Sequence, residues 1–222
     1  DDISLYLGGV ALDDGARLLP PPPLPCRRLE FIGDSMTCGF GNLSAGPQEP
    51  FSPTTEDSTQ TYAALTSRHF GADTRYLCRS GRGIISDCEG SRAQPVPRWF
   101  FETSLTHPQP WDFSSWQPDV AVINLGTNDR NGGVSQEEFT AGAVAFLRRI
   151  RGVYPNARLL WMYGLMDEDF IPAVKEAVET VRAEDPLVDL LLVPSIYPHP
   201  EEQGACNHPN RAAHARAGRA LI

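Results

Sequence analysis

The chain has 222 residues, with 28 Asp and Glu against 19 Lys and Arg and a formal net charge of −9. That length builds one large domain or two small ones, and it buries enough surface for a core without disulfide staples. The acidic balance argues against nucleic acid as a partner, since such binding needs a basic footprint. No apolar run approaches the ~20 residues of a membrane-spanning helix, so no membrane partner is expected.

Ile3 to Leu12, with Gly8-Gly9 inside it, is the first apolar stretch and reads as a strand or strand pair with no partner nearby. Pro20 to Pro23 and Pro25 follow, a composition that favours a stiff extended connector. A boundary is placed there, dividing the chain into residues 1–27 and 28–222. Beyond it, strand and helix alternate. Leu29 to Gly33 is a short strand that runs into Asp34-Ser35. Residues 43–57 form a loop too long for mere linkage. Ser58 to Phe70 reads as a helix stopped by Gly71. Thr74 to Arg79 is a second strand, closing on Ser80-Gly81-Arg82-Gly83. Residues 86–118 are irregular and rich in aromatic side chains.

Asp119 to Leu125 is apolar nearly throughout, as expected of a central strand buried on both faces. Ser135-x-x-Glu138 is a capping box, and Phe139, Ala143, Phe146 and Ile150 recur at helical spacing after it. Leu159 to Gly164 is the next strand, Phe170 to Ala183 the next helix and Val188 to Val193 a fifth strand. Pro209 is read as the start of a last helix. Five strands, each followed by loop and helix, predict a three-layer α/β/α sandwich around a five-stranded parallel sheet.

Ligands bind such sheets outside the carboxyl ends of the strands. The strand ends supply Gly33-Asp34-Ser35, Ser80-Gly81 and Gly126-Thr127-Asn128-Asp129, and Asn207-His208-Pro209 follows the fifth strand. A hydroxyl, a glycine N–H, a carboxamide and an imidazole are the parts of an acyl-transfer site. Ser35 is the candidate nucleophile and His208 the candidate base, because a serine hydroxyl needs a neighbouring base. The N–H groups of Ser35 and Gly81 and the amide of Asn128 are candidate oxyanion donors. Asp34 and Asp129 are expected to organise their own loops. Among the other histidines, His199 is the one serious rival to His208, and His214 is read as structural.

These residues, in this order, resemble the SGNH (GDSL) hydrolase superfamily over roughly residues 28–222. A tighter resemblance is to carbohydrate esterase family 2. It rests on Glu30 to Asn42, Ser80 to Ile84, Trp111-Asp112-Phe113 with Trp116 to Asp119, and Ile123 to Asp129. The resemblance implies a flavodoxin-like SGNH fold and a secreted, metal-independent serine esterase. Its implied substrate is acetylated plant-type polysaccharide or oligosaccharide. A lipid esterase or thioesterase of the same fold, or a carbohydrate-binding protein on a weakened esterase scaffold, are the alternatives.

Two departures stand out. In the superfamily an Asp precedes the histidine by three residues, and in this esterase family often by two; here those positions hold Ala205 and Cys206. A Ser–His dyad is therefore inferred, with the imidazole N–H held by a backbone carbonyl. A carbonyl fixes the tautomer well and stabilises the imidazolium less well. Asn207 stands where several relatives carry a Trp that stacks on sugar. Arg82, Trp99 and Trp161 are candidate substrate contacts in its place, although core packing is the commoner role for such aromatics. Arg82, Arg98 and Arg130 suggest a site that does not share the chain's negative sign.

No Cys/His spacing suggests zinc, and no metal or cofactor is expected. The five cysteines, at 26, 38, 78, 88 and 206, leave at least one thiol free or paired outside the chain. Cys78 with Cys88 and Cys38 with Cys206 are the pairings considered. Asp1 and Asp2 replace the basic start of a signal peptide. Ile3 to Leu19 resembles the last strand of the β-sandwich domain that precedes the hydrolase domain in this esterase family, and the chain is expected to be a fragment of a longer protein.

Overall fold

The computed structural model describes residues 7–103 and 108–222. Five strands form one parallel sheet: β1 (Arg28–Gly33), β2 (Asp73–Cys78), β3 (Val120–Asn124), β4 (Arg158–Tyr163) and β5 (Val188–Leu192). Their order across the sheet is β2-β1-β3-β4-β5. The expected fold class is therefore present. Because β2 lies on one side of β1 and β3 on the other, the chain reverses direction across the sheet at the β1/β3 crevice. That reversal is where an open α/β sheet leaves room for a ligand.

Successive strand residues face opposite sides, and the core divides accordingly. Ile32, Ala121, Ile123, Leu159 and Trp161 join one apolar cluster, while Leu29, Phe31, Val122 and Met162 join the other. The first cluster is covered by α5 (Gln136–Val153), through Phe139, Ala143, Phe146, Leu147 and Ile150, and by α6 (Ile171–Arg182). The second is covered by α2 (Tyr62–Phe70) and α7 (Arg211–Leu221), through Tyr62, Ala63, Ala213 and Ala217. Burying a large apolar side chain contributes about 1.5–3 kcal/mol, so both clusters are needed to hold the two helix layers. Three short helices complete the set: α1 (Ser35–Cys38), α3 (Val96–Trp99) and α4 (Thr127–Asn131).

Local chemistry sets the helix ends. Ser135 accepts from the Glu138 N–H to start α5, one half of the expected capping box; the Glu138 carboxylate, which would complete it, is taken by Arg92 instead. The helix expected from Ser58 begins later, at Tyr62, because Thr61 supplies the cap and Ser58–Gln60 is a separate tight turn. The last helix begins at Arg211, not Pro209: the Asn210 side chain accepts from the Ala212 and Ala213 N–H groups and outcompetes proline as the start. Of the expected first strand, Ile3 to Tyr6 lies outside the described residues. Leu7 to Leu12 forms no strand, and Leu7, Val10 and Leu12 are exposed.

His214, on α7, has no exposed surface, and its Nδ1 accepts from the Tyr62 N–H at 3.3 Å. Burial pushes its pKa from 6.5 down to about 3. A histidine held neutral in the fold contributes stability above pH 6.5 that is lost as pH falls towards about 3, because only the unfolded state takes up the proton over that window. The stability advantage of the wild type over His214→Asn at pH 7 should shrink steadily on acidification below about 6.5, read as the difference in Tm across a pH series.

Candidate active site

The carboxyl ends of β1, β2 and β3 bring Ser35, Gly81 and Asn128 to one cleft of about 520 Å³, which His208 also lines. Ser35 opens α1 directly after β1. It sits at the first helical position, where the backbone N–H has no intrahelical acceptor. His208 approaches from the loop before α7, 173 residues along the chain, with Nε2 at 3.0 Å from Ser35 Oγ. Its Nδ1 lies 3.2 Å from the Cys206 carbonyl oxygen. A carbonyl only accepts, so Nδ1 carries the proton and Nε2 presents its lone pair to the serine. Burial holds the imidazole pKa below its ordinary value, against the pull of the Cys206 and Ala205 carbonyls.

The segment that presents the Cys206 carbonyl is strained. Cys206 and Asn207 adopt left-handed backbone angles, with φ of 51° and 59°. Non-glycine residues rarely sit there, and each such residue costs of order 1 kcal/mol. The turn doubles back so that Cys206 caps the ring two residues ahead. The structure therefore has the carbonyl where the sequence lacks the carboxylate.

Asp34 and Asn128 tie the strand ends together. Asp34 is wholly buried; its Oδ1 accepts from the Met36 N–H at 3.0 Å and its Oδ2 from Asn128 Nδ2 at 3.1 Å. The same Asn128 amide donates to the Arg82 carbonyl at 3.0 Å. Both amide protons are thus engaged within the protein. Burial pushes the Asp34 carboxyl up to about 7, with a smaller push from the Asp129 charge. Asp129 does not organise its own loop, as expected from the sequence, but the one after β2. It accepts from Ile84 N at 2.9 Å, Ile85 N at 2.7 Å and Ser86 N at 3.0 Å. Gly83 makes that approach possible, since a Cβ there would stand 2.3 Å from Asp129 Oδ2. Gly81, at φ 75°, supplies the left-handed turn that aims this loop into the cleft.

Three candidate substrate contacts are corrected. Trp161 is fully buried and donates from Nε1 to the Leu125 carbonyl at 3.2 Å; it is core. Trp99 is buried in the same cluster. Arg82 pairs with Asp87 at 3.1 Å, with its guanidinium directed to that carboxylate. Arg130 pairs with Asp169 at 2.6 Å, and Arg98 donates to the Ala93 carbonyl at 2.6 Å. The Arg82 and Arg130 charges are therefore met locally, and they do not set the sign of the cleft. His199 faces solvent beside Glu201 at 3.3 Å, so it is no rival to His208. All five cysteines are free thiols.

One contributor escaped the sequence. The Phe40 ring lies against His208, with centroids 4.3 Å apart, and Phe51 stacks on Phe40 at 4.0 Å. The loop after α1 thus folds back so that Phe51 buttresses Phe40 against the imidazole. The signal was present in Gly39-Phe40-Gly41, but an aromatic between glycines does not announce what it touches. Phe40→Ala should lower kcat about tenfold with little change in KM, the loss expected for a base that wanders from its attack geometry. Steady-state kinetics on an aryl acetate would check it.

The sequence model of the GDSL-like Lipase/Acylhydrolase family matches residues 31–216. The cellulase/esterase CelE of Acetivibrio thermocellus is 35% identical over 162 residues, covering 71% of this chain and 19% of CelE. An acetylxylan esterase / glucomannan deacetylase of Cellvibrio japonicus is 26% identical over 213 residues, covering 93% of this chain and 58% of that protein. A solved family two carbohydrate esterase from Clostridium thermocellum, in complex with cellohexaose, superposes with a TM-score of 0.84 at 29% identity, covering 92% of this chain and 65% of that one. The chain thus spans less than two thirds of each of these relatives.

Proposed function

The chain belongs to the GDSL-like lipase/acylhydrolase family, and on that premise we propose that it is a carbohydrate esterase that removes acetyl groups by way of an acyl-enzyme on Ser35. The observation that carries this reading is the 3.0 Å contact between His208 Nε2 and Ser35 Oγ, with Nδ1 held on the Cys206 carbonyl. His208 takes the hydroxyl proton as Ser35 Oγ attacks the ester carbonyl. It returns that proton to the sugar oxygen as the C–O bond breaks. Water, activated by the same imidazole, then attacks the acetyl-serine, and acetate leaves.

Negative charge develops on the carbonyl oxygen in both steps. The Ser35 and Gly81 N–H groups meet it, each donor contributing about 3–4 kcal/mol to the transition state. Asn128 joins them by exchanging its bond to the Arg82 carbonyl for one to the oxyanion. An ionised acceptor forms the stronger hydrogen bond, so the exchange is favourable. The relative named acetylxylan esterase / glucomannan deacetylase supports the acetyl and carbohydrate assignment, and the one named cellulase/esterase supports the esterase part of it. The cleft walls agree with it: Asn131, Asn207 and Tyr197 offer amides and a phenol to a hydroxyl-rich ligand. On this reading the protein acts outside the cell, where a polymeric substrate of that kind is met.

Aryl esters of increasing chain length test the proposal. Acetate should be hydrolysed fastest, and Ser35→Ala and His208→Ala should each lose about 10³-fold or more. Preference for long acyl chains, or unchanged acetate turnover in Ser35→Ala, would overturn it. The base works only when neutral, so kcat/KM should rise with pH and level off above an inflection lying below the ordinary histidine value of 6.5.

A further inference from the structure

Cys38 ends α1, four residues of helix that begin with Ser35, and Cys78 ends β2, two residues before Ser80-Gly81. The strand register sets Cys78 opposite Gly33, so the two segments leave the sheet side by side. The Cys38 thiol is buried, with the Cys78 thiol and the Ser80 hydroxyl as its polar neighbours. β2 is the edge strand, and Cys78 is its last residue. There it lines a second cleft, of about 360 Å³, together with Thr37, Ser67, Arg68 and Tyr76. This cleft shares no residue with the one that holds Ser35 and His208.

We propose that Cys38 and Cys78 are a redox-active dithiol, oxidised through the edge cleft by a small anionic disulfide of the glutathione class, and that the bond formed ties the nucleophile's helix to the strand that leads into the Gly81 loop. The Cys78 thiolate attacks one sulfur of the external disulfide. Its S–S bond breaks, and one thiolate leaves and takes a proton from water. The Cys38 thiol then gives its proton to water and attacks the Cys78 sulfur, expelling the second external thiolate. Two protein thiols are oxidised and one external disulfide is reduced to two thiols. The order follows from access: Cys78 lines the cleft wall and Cys38 lies behind it. The neighbouring Cys78 thiol and burial push the Cys38 pKa up, which keeps it the resolving thiol. Arg68, on the same wall, supplies the cation that a carboxylate-bearing disulfide would meet.

The pairing differs from both considered from the sequence, which joined Cys38 to Cys206 and Cys78 to Cys88. Cys88 and Cys206 line the Ser35 cleft and are exposed.

The test is to incubate the folded protein with glutathione disulfide, block free thiols by alkylation and map peptides without reduction. The expected result is a peptide linked through Cys38 and Cys78, with the other three of the five cysteines alkylated. Oxidation should raise Tm by roughly 5–10 °C, because the cross-link closes a long loop of the unfolded chain. Dithiothreitol should reverse the rise, and Cys78→Ser should abolish it. Alkylation of all five cysteines, a glutathione adduct that stays on Cys78, a link that uses Cys88 or Cys206, or a linked protein with unchanged Tm would each overturn the proposal. Peptide mapping is read on the wild type, so it decides the matter even if the serine variant does not fold.

Discussion

Everything at the carboxyl edge of the sheet hangs on two adjacent problems of burial, the carboxylates of Asp34 and Asp129. Neither has exposed surface, and burial pushes them up to about 7 and about 6. A charge withdrawn from water is costly unless donors surround it. Asp34 draws in the Met36 N–H and the Asn128 amide, while Asp129 draws in three successive N–H groups at 84–86. Satisfying the two carboxylates therefore pins three loops from three strands into one arrangement. The 520 Å³ cleft is the space that this pinning leaves above the β1/β3 crevice.

His208 is held by a different economy, with no carboxylate on its ring. One nitrogen is fixed by a carbonyl, and one face of the ring by Phe40. Neither support carries a charge, so neither favours the imidazolium as a carboxylate would. The low pKa of the ring follows from the same fact: burial costs the charged form, and neutral dipoles only partly offset it. On the proposed reading, the arrangement gives a base that stays neutral into mild acid but gains less stabilisation once it takes the proton. Left-handed Cys206 and Asn207 show where strain is accepted to obtain it.

The sheet and its two helix layers were legible because they rest on periodicity. Alternate residues of β1, β3 and β4 enter opposite clusters, and Phe139, Phe146 and Ile150 repeat at helical spacing. The strand ends were legible because polar residues interrupt apolar runs there. What could not be read was contact between distant loops. Nothing in the spacing of Asp129 says that it serves residues 84–86, and nothing in Phe40 and Phe51 says that they stack. The tryptophans were the converse case. Trp161 lies within a strand whose apolar pattern already marked it as core, and a search for sugar platforms competed with that reading. Cysteine pairing failed as a sequence problem for the same reason as the loops, since the contact of Cys38 with Cys78 is set by strand register.

The burial of Trp99 and Trp161 also bears on how a sugar would be held. Besides His208, Phe40 and Tyr197 are the aromatic rings that line the cleft among the described residues. Phe40 already packs against both Phe51 and His208, which reduces the ring area it has to offer. Tyr197, at 54% exposure, is left with area to offer. Stacking on one phenol ring supplies less contact than a tryptophan platform would, and Asn207 stands at the position where the family resemblance would put such a tryptophan. On the proposed reading, selection among sugars then falls to directional hydrogen bonds from Asn131, Asn207 and the Tyr197 hydroxyl. Such bonds add little net affinity in water but penalise a misplaced hydroxyl by leaving a polar group unpaired. On the same reading, this cleft supplies orientation of the acetylated position towards Ser35 more than tightness of binding.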